Sequence, residues 1–560
     1  MRRIAAMLIG AVSLCAAGQT PAPAPVSIHV DLARTVGEYK PIFSWFGYDE
    51  SNYTTGKYGR QLLSELHDLS PAPVYIRAHH LLTSGNGEPE LKWSSSNVFS
   101  LDQNGKPVYD FTITDETFDE YQKAGVRPMV ELGFMPKDLA AAVPGIGEYQ
   151  LHYPKPTMGG ASNNPPKDYK MWGELVRKYT EHLVERYGRQ EVSRWYFEVW
   201  NEPDIIYWHG TPEEYLKLYD YAVAGVRAAL PNAKVGGPAT TGPGGAKSSA
   251  FLEHFLEHCL HDRSAADGKP IPLDFISFHP KGHNAFVDGH VEMGISNELK
   301  AAEAGFRIVA KYPEYRHLPI ILSEADPEGC AACSMKQNPA NAYRNGTLYA
   351  SYTATALKSL LQLQDETHVN FLAMLTWAFE FESKDYFEGF RTLSTNGIDK
   401  PILNFFRMAG LMAGERVATT STGEVPLGNL VSAGVRSTPD VDAFATRANR
   451  EAAVLVWNYD DEDVAAPDAK VNMTIYGIPA GVKRVLLEHY RIDAAHSNAY
   501  TAWQNMGSPQ APTPEQYEQL KAAGQLQLLA SPEWLEVAGE KVTIETNLPR
   551  EAVSLLRLEW

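Results

Sequence analysis

The sequence predicts an α/β protein: a (β/α)8 TIM barrel over residues 38–412 followed by a C-terminal β-sandwich over 413–560. Three observations carry this. Eight apolar runs recur, each of a length suited to one buried strand. Between them lie stretches with apolar residues on one helical face. Trp172, Leu175, Val176, Tyr179, Leu183, Val184 and Tyr187 form one such face, and Tyr215, Leu218, Tyr219, Ala222, Val223 and Val226 another. From about residue 415 the apolar period turns to two, with turn signals between short runs.

Taken in order, residues 1–18 (MRRIAAMLIGAVSLCAAG) show two arginines, an apolar run and small residues, the pattern of a signal peptide. The run is too short to span a membrane. The expected protein is therefore secreted or periplasmic. Residues 19–37 hold a Pro-Ala leader and then a strand, SIHVDLART, that belongs to no following α/β unit and is expected to join the sandwich. The eight barrel runs are 42–48, 74–80, 126–134, 195–202, 234–239, 273–280, 318–324 and 371–380. The sandwich strands are read in FATRANREAAVLVWNYD, VNMTIYGI, VKRVLLEHYRI, KVTIETN and AVSLLRLEW, interrupted by one helix near 514–524.

The chain of 560 residues is long enough for two domains. Its formal net charge of -18 repels phosphate and argues against a nucleic-acid partner. No later segment suits a membrane span, and the sequence does not fix an oligomeric state. Of four cysteines, Cys15 falls in the signal and Cys259 reads as a buried thiol. Cys330-Ala-Ala-Cys333 fits a loop-stapling disulfide in an exported protein, with a zinc half-site or a redox pair as alternatives.

Chemistry is expected at the carboxyl ends of barrel strands. The fourth run, WYFEVWNEPD, stops at Asn201-Glu202-Pro203, placing a carboxylate at a strand exit. Proline cannot continue the ladder and favours an extended residue before it. Trp200 and Trp208 are expected to offer stacking faces for a sugar ring and to raise the pKa of Glu202. Glu198 reads as an internal or ion-pair residue. The seventh run ends in Glu324, so Glu202 and Glu324 form a candidate carboxylate pair across the barrel mouth. Asp326 and Glu328, beyond that strand, read as solvated. Arg77, His79, His279 and Trp377 finish other strands on the same rim, with Arg77 placed to keep Glu324 ionised. His279, His283, His290 and Asp288 match no established zinc spacing, and the glycines at 236–237 and 242–245 match no nucleotide loop. No metal and no cofactor are expected.

The stretches YIRAHHLL, MVELGFMP, WYFEVWNEPD, KVGGPA, DFISFHP, LTWAF with FEGFRTLSTNGIDKP, and HYRIDAAHSNAYTAWQNMGSPQAPT resemble glycoside hydrolase family 39. That group holds β-xylosidases and α-L-iduronidases among retaining (β/α)8 enzymes. The resemblance implies Glu202 as acid/base and Glu324 as nucleophile. It implies Asn201 at the sugar 2-hydroxyl and Arg77, His79 and His279 around the same sugar. Trp377 and Glu382, the latter from an altered acidic pair Glu380-Phe-Glu382, complete the implied substrate contacts. Strand one ends GYDESN and Glu324 is followed by ADPEGCAACS, both departures from the family pattern.

The function expected is a retaining exo-glycosidase acting on an oligosaccharide or glycoside, foremost a β-D-xylosidase. Phe379, Phe381, Phe387 and Phe390 are available to close the sugar pocket at C5. An iduronidase-like reading needs a cation there, from Lys281 or Arg391. An arabinosidase-like specificity and a non-catalytic carbohydrate-binding protein are the other readings.

Overall fold

The structure is a computed structural model that describes residues 24–143 and 163–560. The signal-peptide segment lies outside the described residues. Barrel strands one to seven are Trp45–Tyr48, Tyr75–Ala78, Arg127–Leu132, Tyr196–Val199, Lys234–Thr241, Phe275–His279 and Pro319–Leu322. Strand eight is split into Asn370–Met374, which pairs strand seven, and Thr376–Trp377, which pairs strand one. That double pairing closes the ring, and all barrel pairs are parallel. Each strand is followed by a helix: Lys57–His67, Thr112–Ala124, Tyr169–Tyr187, Pro212–Ala229, Ala246–His261, Ile295–Ala310, Leu348–Thr367 and Pro401–Gly410. The architecture is the (β/α)8 barrel that the alternation predicts.

Residues alternate in and out of each strand, so the lumen fills in layers. Trp45, Met129, Tyr196, Phe275, Ile321 and Ala373 make an apolar plug at the lower level. Above it sit Arg77, Glu131 and Glu198, all fully buried. Gly47 shares that upper level for a steric reason. A Cβ there would lie 2.4 Å from the Trp377 ring and 2.8 Å from the Arg77 carbonyl oxygen.

The second domain is a ten-stranded sheet, nine strands on one hydrogen-bonded path and Glu533–Glu536 off it, that folds back on itself. Val454, Val456, Leu556 and Leu558 from one arm share a buried apolar cluster with Val30, Leu32, Met473, Ile475 and Ile544 from the other. This makes the β-sandwich. Val26–Glu38 lies inside the path, antiparallel to Glu415–Ser421 and parallel to Ala469–Tyr476. Instead of one interrupting helix there are three: Leu427–Ala433, Ala499–Asn505 and Pro514–Gly524. The second is started by Asn498, whose side chain accepts from the Thr501 N–H at 3.1 Å. Its four-residue apolar signal is too short to separate from a strand.

The seam between domains has an apolar centre flanked by ion pairs such as Arg416–Asp365. Helix Leu348–Thr367 is buried along most of its length, and Phe444, Leu455, Trp457, Tyr459 and Leu555 share its cluster. Tyr352 meets Tyr459 edge-on at 5.7 Å. Among the described residues no helix is long and apolar enough to cross a membrane.

Candidate active site

The fourth strand runs out at Val199, and the next helix is fixed by a capping box, Thr211 with Glu214, and by Pro212 in its first turn. The loop between is short and strained. Trp200 and Glu202 both adopt positive φ, 73° and 44°. Glu202 is therefore left-handed, where its position before proline predicts an extended residue. The turn is over-determined by its hydrogen bonds: Glu202 N–H donates to Ala239 O at 2.8 Å, and Ile205 N–H donates back to Glu202 O at 3.2 Å. Left-handed backbone at a bulky residue is costly and tends to mark functional sites.

Glu202 and Glu324 meet across the barrel mouth. Oxygens of the two carboxylates and a ring nitrogen of His279 lie within 4.8 Å of one another. Their surroundings differ. Glu202 has one close neighbour, His279 Nδ1, at 3.0 Å. Glu324 is held by Lys281 Nζ at 2.8 Å, Arg77 Nη1 at 3.0 Å and His79 Nε2 at 3.4 Å. Burial, and then the charge of Glu324, push Glu202 up to about 7. Burial pushes Glu324 up as well, but Lys281 foremost, with His79 and Arg77, outweighs it and holds Glu324 well below the carboxylate range. The pair is thus asymmetric near neutrality, with the proton on Glu202.

Arg77 is fully buried and does not reach the cavity. It joins Glu198 at 2.5 Å, Glu131 at 3.1 Å, Glu324 at 3.0 Å and the Asn201 side-chain oxygen at 3.0 Å. Glu198 is the ion-pair residue that its place one strand level below the exit suggests. His79 bridges Asp49 at 2.5 Å and Glu131 at 2.9 Å. Burial opposes its charge, but Glu131 and Asp49 prevail and raise its pKa well above the usual value. His279 faces cations and is driven down to about 3 by burial, so it stays neutral between Glu202 and Ser323 Oγ, which lies at 3.1 Å.

A cavity of about 310 Å³ opens over the pair, lined by Asp49, His79, Lys92, Asn201, Glu202, Ile205, Tyr207, Lys281, Glu324, residues 329–332 and Trp377. The structure brings together Glu202, Glu324, Asn201, His79 and Trp377 at the cavity, with Arg77 and His279 directly behind. It does not bring Glu382, whose carboxylate accepts from the Tyr58 N–H at 2.5 Å, at the start of helix Lys57–His67.

Several expectations need correction. Trp200 and Trp208 offer no sugar platform: they pack edge-on at 5.1 Å, and the Trp200 indole donates to Tyr207 O. The four phenylalanines do not wall the cavity. Phe379 stacks on Tyr48 at 3.9 Å, Phe381 and Phe390 meet each other, and Phe387 packs on Tyr500 and Trp503. Asp326 and Glu328 are not solvated. Asp326 pairs with Lys281 at 2.6 Å and Arg391 at 3.4 Å, and Glu328 pairs with Arg391 and Arg344, each at 2.7 Å. Arg391 is consumed there and does not face a sugar. Cys330 and Cys333 are disulfide-bonded, with Cα atoms 5.5 Å apart, and Cys259 is a buried free thiol.

Asp49, Lys92, Ile205, Tyr207 and residues 329–332 line the cavity without having been singled out as substrate contacts, and Lys281 lines it where only an iduronidase-like reading called for it. Signals existed for two of them. Asp49 ends strand one in the unusual GYDESN, and Lys281 follows His279 at the same strand exit.

Comparison with known proteins gives the family and the fold. Residues 74–534 match the family described as Glycosyl hydrolases family 39. A β-xylosidase of Geobacillus stearothermophilus is 26% identical over 463 residues, covering 80% of this chain and 79% of its own. A β-xylosidase of Caldicellulosiruptor saccharolyticus is 26% identical over 491 residues, covering 86% and 88%. The α-L-iduronidase of Homo sapiens is also 26% identical, spanning 100% of this chain and 82% of its own. The crystal structure of a monomeric β-xylosidase from Caulobacter crescentus CB15 superposes with a TM-score of 0.73, at 23% identity and over 95% and 99% of the two chains. At that identity the likeness is one of fold.

Proposed function

The chain belongs to glycosyl hydrolases family 39 and is a glycoside hydrolase, and from that premise we propose that it is an exported retaining exo-glycosidase, foremost a β-D-xylosidase acting on xylo-oligosaccharides. The observation that carries the mechanism is the carboxylate pair, with oxygens within 4.8 Å and with Lys281, Arg77 and His79 gathered on Glu324. Retaining enzymes hold their carboxyl groups about 5–5.5 Å apart, whereas inverting ones leave about 6.5–9.5 Å for a water. Glu324, ionised, attacks the anomeric carbon. Glu202, protonated, delivers its proton to the leaving oxygen. A glycosyl ester on Glu324 results, and Glu202, now a carboxylate, takes a proton from the water that hydrolyses it.

Asn201 and His79 border the same space and are assigned to the sugar hydroxyls, with Trp377 as the apolar face. Arg77 and His279 act through the carboxylates that they touch. The cavity, bounded on one side by residues 329–332, fits attack at a chain end. Export is supported by the amino-terminal pattern and by a disulfide, which persists in oxidising compartments.

A second reading has one observation in its favour. Lys281 and Lys92 both line the cavity and could meet a C5 carboxylate, which suits an iduronidase-like substrate. Lys281 already serves Glu324 and Asp326, so the neutral pentoside is preferred. A panel of aryl glycosides of xylose, arabinose, glucose, galactose and iduronic acid decides between them. The β-xyloside should lead in kcat/KM by at least tenfold, and a lead for the iduronide would replace the xylosidase assignment.

A further inference from the structure

Four consecutive residues, Gly329, Cys330, Ala331 and Ala332, form one wall of the cavity. They follow strand seven, the strand that ends in Glu324. Loops at a barrel mouth are usually the mobile part of the fold. This one is tied down from behind. Arg344, fully buried, donates to Cys330 O at 2.7 Å, Ala331 O at 3.3 Å and Cys333 O at 2.7 Å. The Arg391 N–H donates to Ala331 O at 2.9 Å, and Asn341 Nδ2 donates to Cys333 O at 2.9 Å. The Cys330 N–H donates to Glu328 at 3.0 Å, and the Cys330–Cys333 bond closes the turn.

The fastening extends to the carboxylate pair. Buried charges alternate from Glu324 through Lys281, Asp326, Arg391 and Glu328 to Arg344. The loop and Glu324 therefore belong to one ionic framework. Buried carbonyls need donors, so a guanidinium committed to three of them fixes the main chain more tightly than side-chain packing would.

What the wall presents is small. Ala331 shares an apolar cluster with Leu375 and Trp377, and Ala332 one with Tyr53, Phe381 and Phe390. Glu202, Ile205 and Tyr207 come from the opposite loop, on the side where the proton donor must face the departing oxygen. The 329–332 wall thus bounds the sugar whose anomeric carbon Glu324 attacks.

We propose that residues 329–332 are the size-determining wall of the sugar cavity, with Ala331 and Ala332 setting the room beside the ring. Arg344 and the Cys330–Cys333 bond are positioning elements for that wall. The inference rests on the exo-glycosidase reading. It places specificity on a stapled main-chain turn, where the aromatics after strand eight offered a more obvious candidate.

The test is the ratio of kcat/KM for an aryl β-xyloside to that for the matching β-glucoside, which differ by one hydroxymethyl group. Ala331→Val and Ala332→Val should raise the ratio at least tenfold, with the loss on the glucoside falling mainly on KM. Cleaving the staple should lower the ratio at least threefold. This applies to the Cys330→Ser/Cys333→Ser double variant. It applies equally to wild-type protein treated with dithiothreitol, which takes up the disulfide's oxidising equivalents as its own cyclic disulfide and leaves two thiols. The reduced wild-type protein serves as the readout if a variant does not fold, and reoxidation should restore the ratio. Ratios within twofold of wild type in the reduced protein and in every folded variant would overturn the wall. Wild-type protein inactive on both glycosides would instead overturn the β-xylosidase reading, and the wall with it.

Discussion

Lys281→Met is the substitution whose effect the geometry specifies most sharply. Lys281 Nζ sits 2.8 Å from Glu324 and 2.6 Å from Asp326. Two unit charges 2.8 Å apart attract by about 6 kcal/mol at an effective dielectric constant of ~20. That figure is a ceiling. Lys281 is shared with Asp326, and Arg77 and His79 remain beside Glu324. Without Lys281, Glu324 should therefore move up toward the ordinary carboxylate range. The sign follows from the roles. In the proposed mechanism turnover needs Glu324 ionised and Glu202 protonated, so the acid limb of kcat/KM reports the first and the basic limb the second, as macroscopic values of the pair. In wild type the acid limb should lie below the usual carboxylate range and the basic limb near 7. Removing Lys281 lifts both limbs, because its charge also lowers Glu202, but lifts the acid limb further. The profile should narrow and shift to higher pH. The assay is a kcat/KM–pH profile with an activated aryl glycoside. An acid limb that stays in place while activity falls equally at all pH values would refute the assignment of Glu324 as the group that Lys281 keeps ionised.

Three further outcomes are expected. Glu324→Gly should lose hydrolysis and regain turnover of an activated aryl glycoside with azide, giving a product of inverted configuration by NMR; a retained product would remove Glu324 as nucleophile. Glu202→Ala should slow glycosides with poor leaving groups by ~10² or more and spare the first step for dinitrophenyl glycosides, measured as the burst rate; equal losses on both would show that Glu202 is not the acid. A chain ending near residue 412 strips Phe444, Leu455, Trp457 and Leu555 from helix Leu348–Thr367 and leaves Val26–Glu38 without its partner strands. It should be insoluble or melt well below the full chain in calorimetry, whereas a soluble truncate of full activity would show the sandwich to be dispensable.

The barrel was legible because its signal is redundant. Strand runs such as 318–324 and 126–134 are apolar on both faces, and the helices between them carry a separate period. The rim positions of Glu202, Glu324, His79 and His279 follow from strand ends alone, since every parallel strand delivers its last residues to the same face. What strand ends cannot convey is the direction taken by the chain after them. Trp200 lies between two strand-exit residues and still points away from the cavity, because its positive φ reverses the alternation that a strand would impose. Phe379 and Phe381 lie just past strand eight and turn beneath the loop onto Tyr48 and Tyr53.

The same limit explains Asp326 and Glu328. In sequence they are loop carboxylates, and such groups are usually exposed. In the fold each is met by an arginine from a distant element, Arg391 after strand eight and Arg344 before helix Leu348–Thr367. No local pattern announces a pair whose members come from different elements. Yet the requirement was implicit in the chemistry. An ionised nucleophile buried in an apolar barrel needs cations around it, and each buried cation needs an anion in turn. Glu324, Lys281, Asp326, Arg391, Glu328 and Arg344 form that regress, and it stops only where Arg344 meets neutral carbonyl oxygens in the turn that lines the sugar cavity. The charge that prepares Glu324 and the wall that faces its sugar are therefore parts of one structure. A substitution at either end should be felt at the other as a change in both the acid limb and the sugar preference.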